Sequence, residues 1–328
     1  MHTPHSPDEW GIGIDVGGTK IAAGAVELGS GTVAFRRETP TRSERGATAV
    51  LADIEMLAET VAVELRRDRR NPVALGIGVP ELVDAEGRIR SAHLLDWSVI
   101  PLSEGLQAIA PTFIAADVRA AALAEARHGA GREFESFAYI SIGSGISSTV
   151  VQDGVPLAGA RGGALVLSSG SLGVPCPECS NWTEFVLEDY ASGPALARRY
   201  AAATGHEVEG AETVIAAANA GEPTAAQIVD SAADALGSSL GWLVNVLDPE
   251  AIVAGGGLGL APGRFRERLI AATRSHIWNP GARGLPFVSA ALGADAGLIG
   301  AALTAERHAG QRDYTLGSPV AVLNGERR

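Results

Sequence analysis

Gly11-Ile12-Gly13-Ile14-Asp15-Val16-Gly17-Gly18-Thr19-Lys20 decides how the rest of the chain is read. An apolar strand runs into an acid, two adjacent glycines and a hydroxyl. Adjacent glycines let backbone N–H groups approach a phosphate closely, because no Cβ stands in the way. Asp15 sits where it can hold Mg²⁺, directly or through water, and that ion prefers oxygen ligands. Thr19 adds a hydroxyl donor. A P-loop is excluded, because it needs Lys before Ser or Thr and here Lys20 follows Thr19. A dinucleotide fingerprint needs a helix directly after its glycines. Here Ile21-Ala22-Ala23-Gly24-Ala25-Val26 continues short and apolar, as a second strand. The stretch therefore reads as a β-hairpin. Its turn either binds phosphate or is an ordinary glycine turn, and these residues alone leave both open.

Further glycine segments follow in order. Leu75 to Pro80 is a strand ending in Gly76-Ile77-Gly78-Val79-Pro80. Phe137 to Val151 is a β-rich run broken by Gly143-Ser144-Gly145. Ala251 to Leu258 is a buried-type strand ending in Gly255-Gly256-Gly257. Leu292 to Ala302 holds Gly293-Ala294-Asp295-Ala296-Gly297 before an apolar run. Together these segments resemble the sugar-kinase and actin-like ATPase superfamily. The wording of Asp15 to Lys20 most resembles the ROK family, which contains bacterial sugar kinases and sugar-responsive repressors.

That resemblance implies a two-lobed α/β fold of the duplicated RNase H-like kind, with ATP between the lobes. It places phosphate at Gly17, Gly18, Thr19 and Lys20, and again at Gly143, Ser144 and Gly145. Adenosine is expected at Gly255, Gly256 and Gly257, with Mg²⁺ near Asp15. It also implies a homodimer, whose face the apolar helices between Phe185 and Leu247 can supply.

Bulk properties set the frame. A chain of 328 residues favours two lobes over one, and 46% hydrophobic with 20% charged residues is an ordinary globular balance. A formal charge of −12 argues against nonspecific nucleic-acid binding, which needs a basic face. Two cysteines make no disulfide framework, which points to a reducing cytoplasm. The first nine residues carry neither a basic nor an apolar signal region, and no apolar run approaches the ~20 residues of a membrane span. The expected first lobe covers 10–116 and the second 117–306, between short ends at 1–9 and 307–328. The final helix over 293–306 is expected to pack back on the first lobe. Leu51, Ile54, Leu57, Val61 and Leu65 recur at three-to-four spacing and predict a helix from Thr48 to Arg70.

Asp117 stands at the end of an apolar strand and the start of an alanine-rich helix. Any protein could use it there as an N-cap. The resemblance makes it the catalytic base, and a carboxylate suits the proton released when an alcohol is phosphorylated. Glu188, in Leu187-Glu188-Asp189-Tyr190-Ala191-Ser192-Gly193, resembles the family glutamate that contacts a sugar hydroxyl; otherwise it is a helix-surface acid. Pro80, Glu81, His93 and Ser169 fall at the remaining positions expected beside the acceptor.

Several of these positions depart from the family pattern. Val166 and Ser169 stand where the family has a sugar-reading Glu and a sugar- and zinc-binding His. Ala116 replaces the Asn before the catalytic Asp, and Glu81 replaces a Gly. Of the family's three zinc cysteines, Cys179 occupies the first position, with Asn181 and Val186 at the others. Structural zinc wants four N or S ligands. The Cys176-Pro177-Glu178-Cys179 pair supplies only two, so no structural zinc is expected.

The nucleotide side is thus intact and the acceptor side rewritten. This points to a kinase for an unusual acceptor: a cyclitol or pseudosugar, a keto-polyol, or a modified hexose. Two other readings are an ordinary ROK glucose or amino-sugar kinase and a catalytically inactive sensor. A repressor is not expected, because the phosphate segment at Gly11 leaves no room for an N-terminal DNA-binding module.

Overall fold

A computed structural model describes residues 9–175, 179 and 182–316. In chain order the elements are β1 (Trp10–Val16), β2 (Lys20–Glu27), β3 (Val33–Pro40), α1 (Ala47–Arg67), β4 (Pro72–Val79), β5 (Thr112–Ala116), α2 (Asp117–His128), β6 (Ser136–Ile142), β7 (Ile146–Gln152) and β8 (Val155–Pro156). Then come β9 (Ser171–Pro175), β10 (Trp182–Val186), α3 (Leu187–Ala191), α4 (Gly193–Thr204), α5 (Ala211–Asn219), α6 (Pro223–Leu247), β11 (Ala251–Gly255), α7 (Gly257–Leu260), α8 (Arg264–His276), β12 (Phe287–Ser289) and α9 (Ala296–Leu316). No described helix is long and apolar enough to cross a membrane.

The chain divides into two compact units. One takes in the chain up to Val79, Ala92–Ala115 and the chain from Leu298; the other is Pro80–Ser91 with Ala116–Gly297. Against a single division at 116/117, Pro80–Ser91 and Ala116 fall in the second unit, and the chain from Leu298 falls in the first. Pro80–Ser91 is tied there by Arg119, whose guanidinium donates to Val83 O and Gly162 O. The tail expected from residue 307 also differs, since α9 runs on to Leu316.

In the first unit the strand order is β3-β2-β1-β4-β5. β1 and β2 pair antiparallel, Asp15 facing Ala22 and Val16 facing Ile21, while β4 runs parallel to β1. Ile12, Ile14, Ile21 and Ile77 are fully buried. Each such side chain contributes about 1.5–3 kcal/mol relative to exposure. α1 buries Val50, Ile54, Leu57, Ala58, Val61, Ala62 and Leu65, one stripe at helical period.

Two glycines of this sheet have a packing role separate from phosphate. A Cβ on Gly13 would strike the carbonyl of Leu298, and one on Gly76 the carbonyl of Ala301. α9 therefore rests with its backbone directly against β1 and β4, an approach only glycine permits. The register of β2 against β3 slips between Ala23 and Ala25, and Phe35 there takes φ +53°. This is a β-bulge, a device that re-aims neighbouring side chains. Just past it, Arg36 and Lys20 both reach Glu38 Oε2, at 2.7 and 3.3 Å.

The second unit repeats the theme. Its main sheet has the order β12-β11-β6-β7-β8, again an antiparallel hairpin (β6, β7) followed by a parallel strand (β11). β9 and β10 form a separate antiparallel pair. α6 packs on α8 through Gly237 and Gly241, where a Cβ would come within 2.5 and 2.6 Å of the Cβ atoms of Ala272 and His276. Bidentate pairs, Arg264 with Asp230 and Arg268 with Asp234, flank the contact.

Candidate active site

The turn between β1 and β2 is closed by the Gly17 N–H donating to Lys20 O at 2.9 Å. Thr41 braces it, its N–H donating to Thr19 O at 3.0 Å and its hydroxyl to Gly17 O at 2.6 Å. A Cβ added at Gly18 would meet nothing within 4 Å, and Gly18 does not need a left-handed backbone. Neither packing nor conformation demands glycine here, so what its bareness provides is open, exposed backbone. Asp15, partly buried at the end of β1, has its pKa raised to about 6 by burial, against the opposing pull of Lys20 and Arg36. A carboxylate held against ionisation in this way gains strongly from a bound cation. The open, exposed backbone of the turn and the partly buried carboxylate fit a phosphate with a hard divalent ion.

In the second unit the corresponding turn, Gly143-Ser144-Gly145, is closed by the Gly143 N–H donating to Gly145 O at 2.9 Å. The Gly193 N–H donates to Gly143 O at 2.8 Å. Glu188, at the start of α3, is half-buried, and its Oε2 accepts the Ile146 N–H at 2.7 Å. A Cβ on Gly145 would lie 2.9 Å from that same oxygen. Glu188 is thus a buttress of the second glycine turn with one carboxylate oxygen, a role its sequence position does not reveal. Its own N–H donates to Ser168 O at 3.1 Å, and the Ser168 hydroxyl donates to Ile146 O. Ser168 is buried, while Val166 and Ser169 on either side are exposed.

The adenosine-type segment ends β11. Gly256 has φ +77°, and a Cβ there would strike the carbonyl of Ile142. Gly255 lies under the Tyr139 hydroxyl, where a Cβ would come within 2.6 Å. Gly257 faces open space. Two of these glycines are therefore required by packing, and the third leaves surface free. Behind them the fully buried Glu125 accepts three backbone N–H bonds, from Ala130 (2.8 Å), Ala291 (3.0 Å) and Leu292 (2.9 Å). It ties α2 to the loop leading into Gly293.

Asp117 is the first residue of α2, half-buried, and its Oδ1 accepts the Val118 N–H at 2.6 Å. Pro80 and Glu81 follow β4 in the second unit. Glu81 is buried and accepts the Ser91 hydroxyl at 2.5 Å. Asp84 knots the same loop. It takes N–H bonds from Glu86 and Arg88 and the guanidinium groups of Arg88 and Arg90, all at 2.8–3.1 Å. Burial pushes the Asp84 carboxyl up, but the bonds from Arg88 and Arg90 outweigh it and hold the group well below the usual carboxylate range. His93 belongs to the first unit and is exposed.

Cys179 is exposed and free, and Cys176 and Asn181 lie outside the described residues. Among the described residues, no group of three or more His, Cys, Asp or Glu side chains is placed to hold a metal ion. Sequence reading missed Arg36, Asp84, Arg119 and Glu125. Of these only Arg119 left a local signal: a cation in the first turn of a helix opposes the helix dipole and so needs its own partners.

Two glycine-turned hairpins, a glycine-ended parallel strand and a helix-initiating aspartate occur in the order of one family, and the model of the ROK family matches residues 11–308. The chain belongs to the ROK family. It is 34% identical to a ROK hexokinase from Thermus thermophilus, with a TM-score of 0.76 over 92% of this chain and 99% of that one. A ROK glucokinase from Streptomyces griseus, solved with glucose and AMPPNP, is 27% identical with a TM-score of 0.74 over 91% and 99%. A kanosamine kinase from Amycolatopsis mediterranei is 30% identical over 92% of this chain and 96% of its own. The fold is that of ROK sugar kinases, and the protein is a ROK-type phosphotransferase.

Proposed function

We propose that this protein is an ATP- and Mg²⁺-dependent kinase of the cytoplasm whose acceptor is a sugar-like polyol other than plain glucose. The observation that carries the nucleotide half is the bare turn at Gly18 beside the partly buried Asp15. ATP supplies the transferable γ-phosphoryl group, with Mg²⁺ to spread its charge. The backbone of Gly17 to Thr19 and of Gly143 to Gly145, with Lys20, would hold the phosphates, and Asp15 the metal. Gly255 to Gly257 would take the adenosine. Asp117 accepts the proton of the acceptor hydroxyl. Glu188 braces its turn with Oε2, leaving Oε1 to accept from an acceptor hydroxyl. Pro80, His93 and Ser169 would complete the acceptor side, and Glu81, buried under Ser91, shapes the loop behind it.

The acceptor half rests on substitutions. Val166, Ser169 and Ala116 replace three groups that would read ring hydroxyls. Each such bond contributes roughly 0.5–1.5 kcal/mol. Losing three lowers kcat/KM for glucose by about two decades, at about 1.4 kcal/mol per decade. A coupled ADP-release screen over hexoses, amino sugars, ketoses and C7-cyclitols decides it. A cyclitol or other atypical polyol should lead. Glucose leading the panel with kcat/KM above about 10⁴ M⁻¹s⁻¹ refutes the acceptor reading.

The protein also acts as a homodimer in this proposal. The end of α6 and the segment after α8 expose Trp242, Val246 and Trp278, at 69%, 59% and 83%. Large apolar side chains clustered in this way are the usual mark of a contact surface. Light scattering at micromolar concentration should give twice the chain mass, and Trp278→Ser should lower it. A monomeric wild type would contradict the assignment.

A further inference from the structure

Arg119 sits two residues after Asp117 in the first turn of α2, where the helix dipole disfavours a cation. Its guanidinium is half-buried and donates to two backbone carbonyls from distant parts of the chain, Val83 O and Gly162 O, the latter at 3.2 Å. Those two loops touch. Gly162 has φ +76°, and a Cβ there would strike the Val83 carbonyl. The Val83 loop is itself rigid, knotted by Asp84 with Arg88 and Arg90 and by Glu81 with Ser91. The Gly162 turn leads directly into Val166 and Ser169. One side chain thus joins the helix start that carries Asp117 to both loops that carry the altered acceptor positions.

Lysine cannot reproduce this arrangement, because only the planar guanidinium fork serves two carbonyls from one rigid plane. Burial pulls the Arg119 pKa down, while the charges of Asp117 and Asp84 hold it up. Removing the side chain would leave two carbonyls without this donor and free the loops to drift relative to Asp117.

We propose that Arg119 is a positioning residue that fixes the acceptor-side loops against the catalytic aspartate. This rests on the kinase reading above and deepens it toward acceptor specificity. A misplacement of about 1 Å is enough to cost on the order of 10²-fold in rate. The test uses the full chain, with Arg119→Met and Arg119→Lys beside wild type. Steady-state kinetics are run with the leading acceptor of the panel, ADP binding is measured by calorimetry, and hydrogen exchange is followed across the protein.

In Arg119→Met, kcat/KM for the acceptor should fall on the order of 10²-fold, with ADP affinity unchanged. Arg119→Lys should recover part of that loss. Amides of Leu82 to Ile89 and of Gly159 to Leu167 should exchange faster, while those of the Gly143 turn keep their rate. If Arg119→Met does not fold, Arg119→Lys carries the test, with a raised acceptor KM and intact ADP binding expected. Unchanged acceptor kinetics, or an equal loss of ADP affinity, overturns the positioning role. A wild type that turns over no acceptor defeats the kinase reading instead. The exchange pattern then decides by itself whether Arg119 holds the two loops.

Discussion

Asp117→Asn should lower turnover by about 10²-fold or more, the scale on which general bases act, while nucleotide binding persists. The substitution separates the two jobs this residue can do. Asp117 is not the N-cap of α2, a place taken by Ala116, and an asparagine Oδ1 can accept the Val118 N–H as the carboxylate does. The fold should melt as wild type does. What disappears is the carboxylate proposed to take the acceptor proton. Single-turnover kinetics with calorimetry of ADP binding measure both halves. Near-wild-type turnover would remove Asp117 from the chemistry and leave it a first-turn acid of α2.

Asp15→Asn should raise stability in metal-free buffer and abolish the gain that Mg²⁺ gives. The folded pKa of Asp15 is raised from 3.8 to about 6, chiefly by burial. Below about pH 4 the carboxyl is neutral in both folded and unfolded chains and contributes nothing. Between about pH 4 and 6 the unfolded chain ionises first, and folding loses stability. Above about pH 6 the full penalty applies, of order 3 kcal/mol. Asparagine escapes it. In metal-free buffer the variant should therefore melt higher than wild type at pH 7.5, and the two curves should converge near pH 4. Wild type should regain stability on adding Mg²⁺ with ADP, and the variant should not. A variant that melts lower than wild type at pH 7.5 would show that the Asp15 charge stabilises this turn.

These two residues were legible because their signals are short-range. Asp15 ends an apolar strand before two glycines, and Asp117 ends another before an alanine-rich helix. Strand, turn and helix cap are set by neighbours within a few positions. The α1 stripe was legible for the same reason, with its ends displaced by one and three residues from those the spacing predicts. Glu188 was legible as a helix acid but not as a brace, because its partner Ile146 is 42 positions away.

The sequence by itself determined that two glycine-turned hairpins would form, that strands and helices would alternate in one family's order, and which acids would stand at their ends. Backbone conformation and apolar periodicity are local, and they decide such things. Tertiary structure alone decided that Gly13 and Gly76 exist to seat α9, and that Pro80–Ser91 joins the second unit. It alone decided that Arg119 gathers carbonyls 36 and 43 positions distant, and that Glu125 holds backbone 166 and 167 positions on. Close backbone approach and buried charge pairing are satisfied in space, by whichever groups the folded chain brings within hydrogen-bond reach, and no spacing along the chain records them.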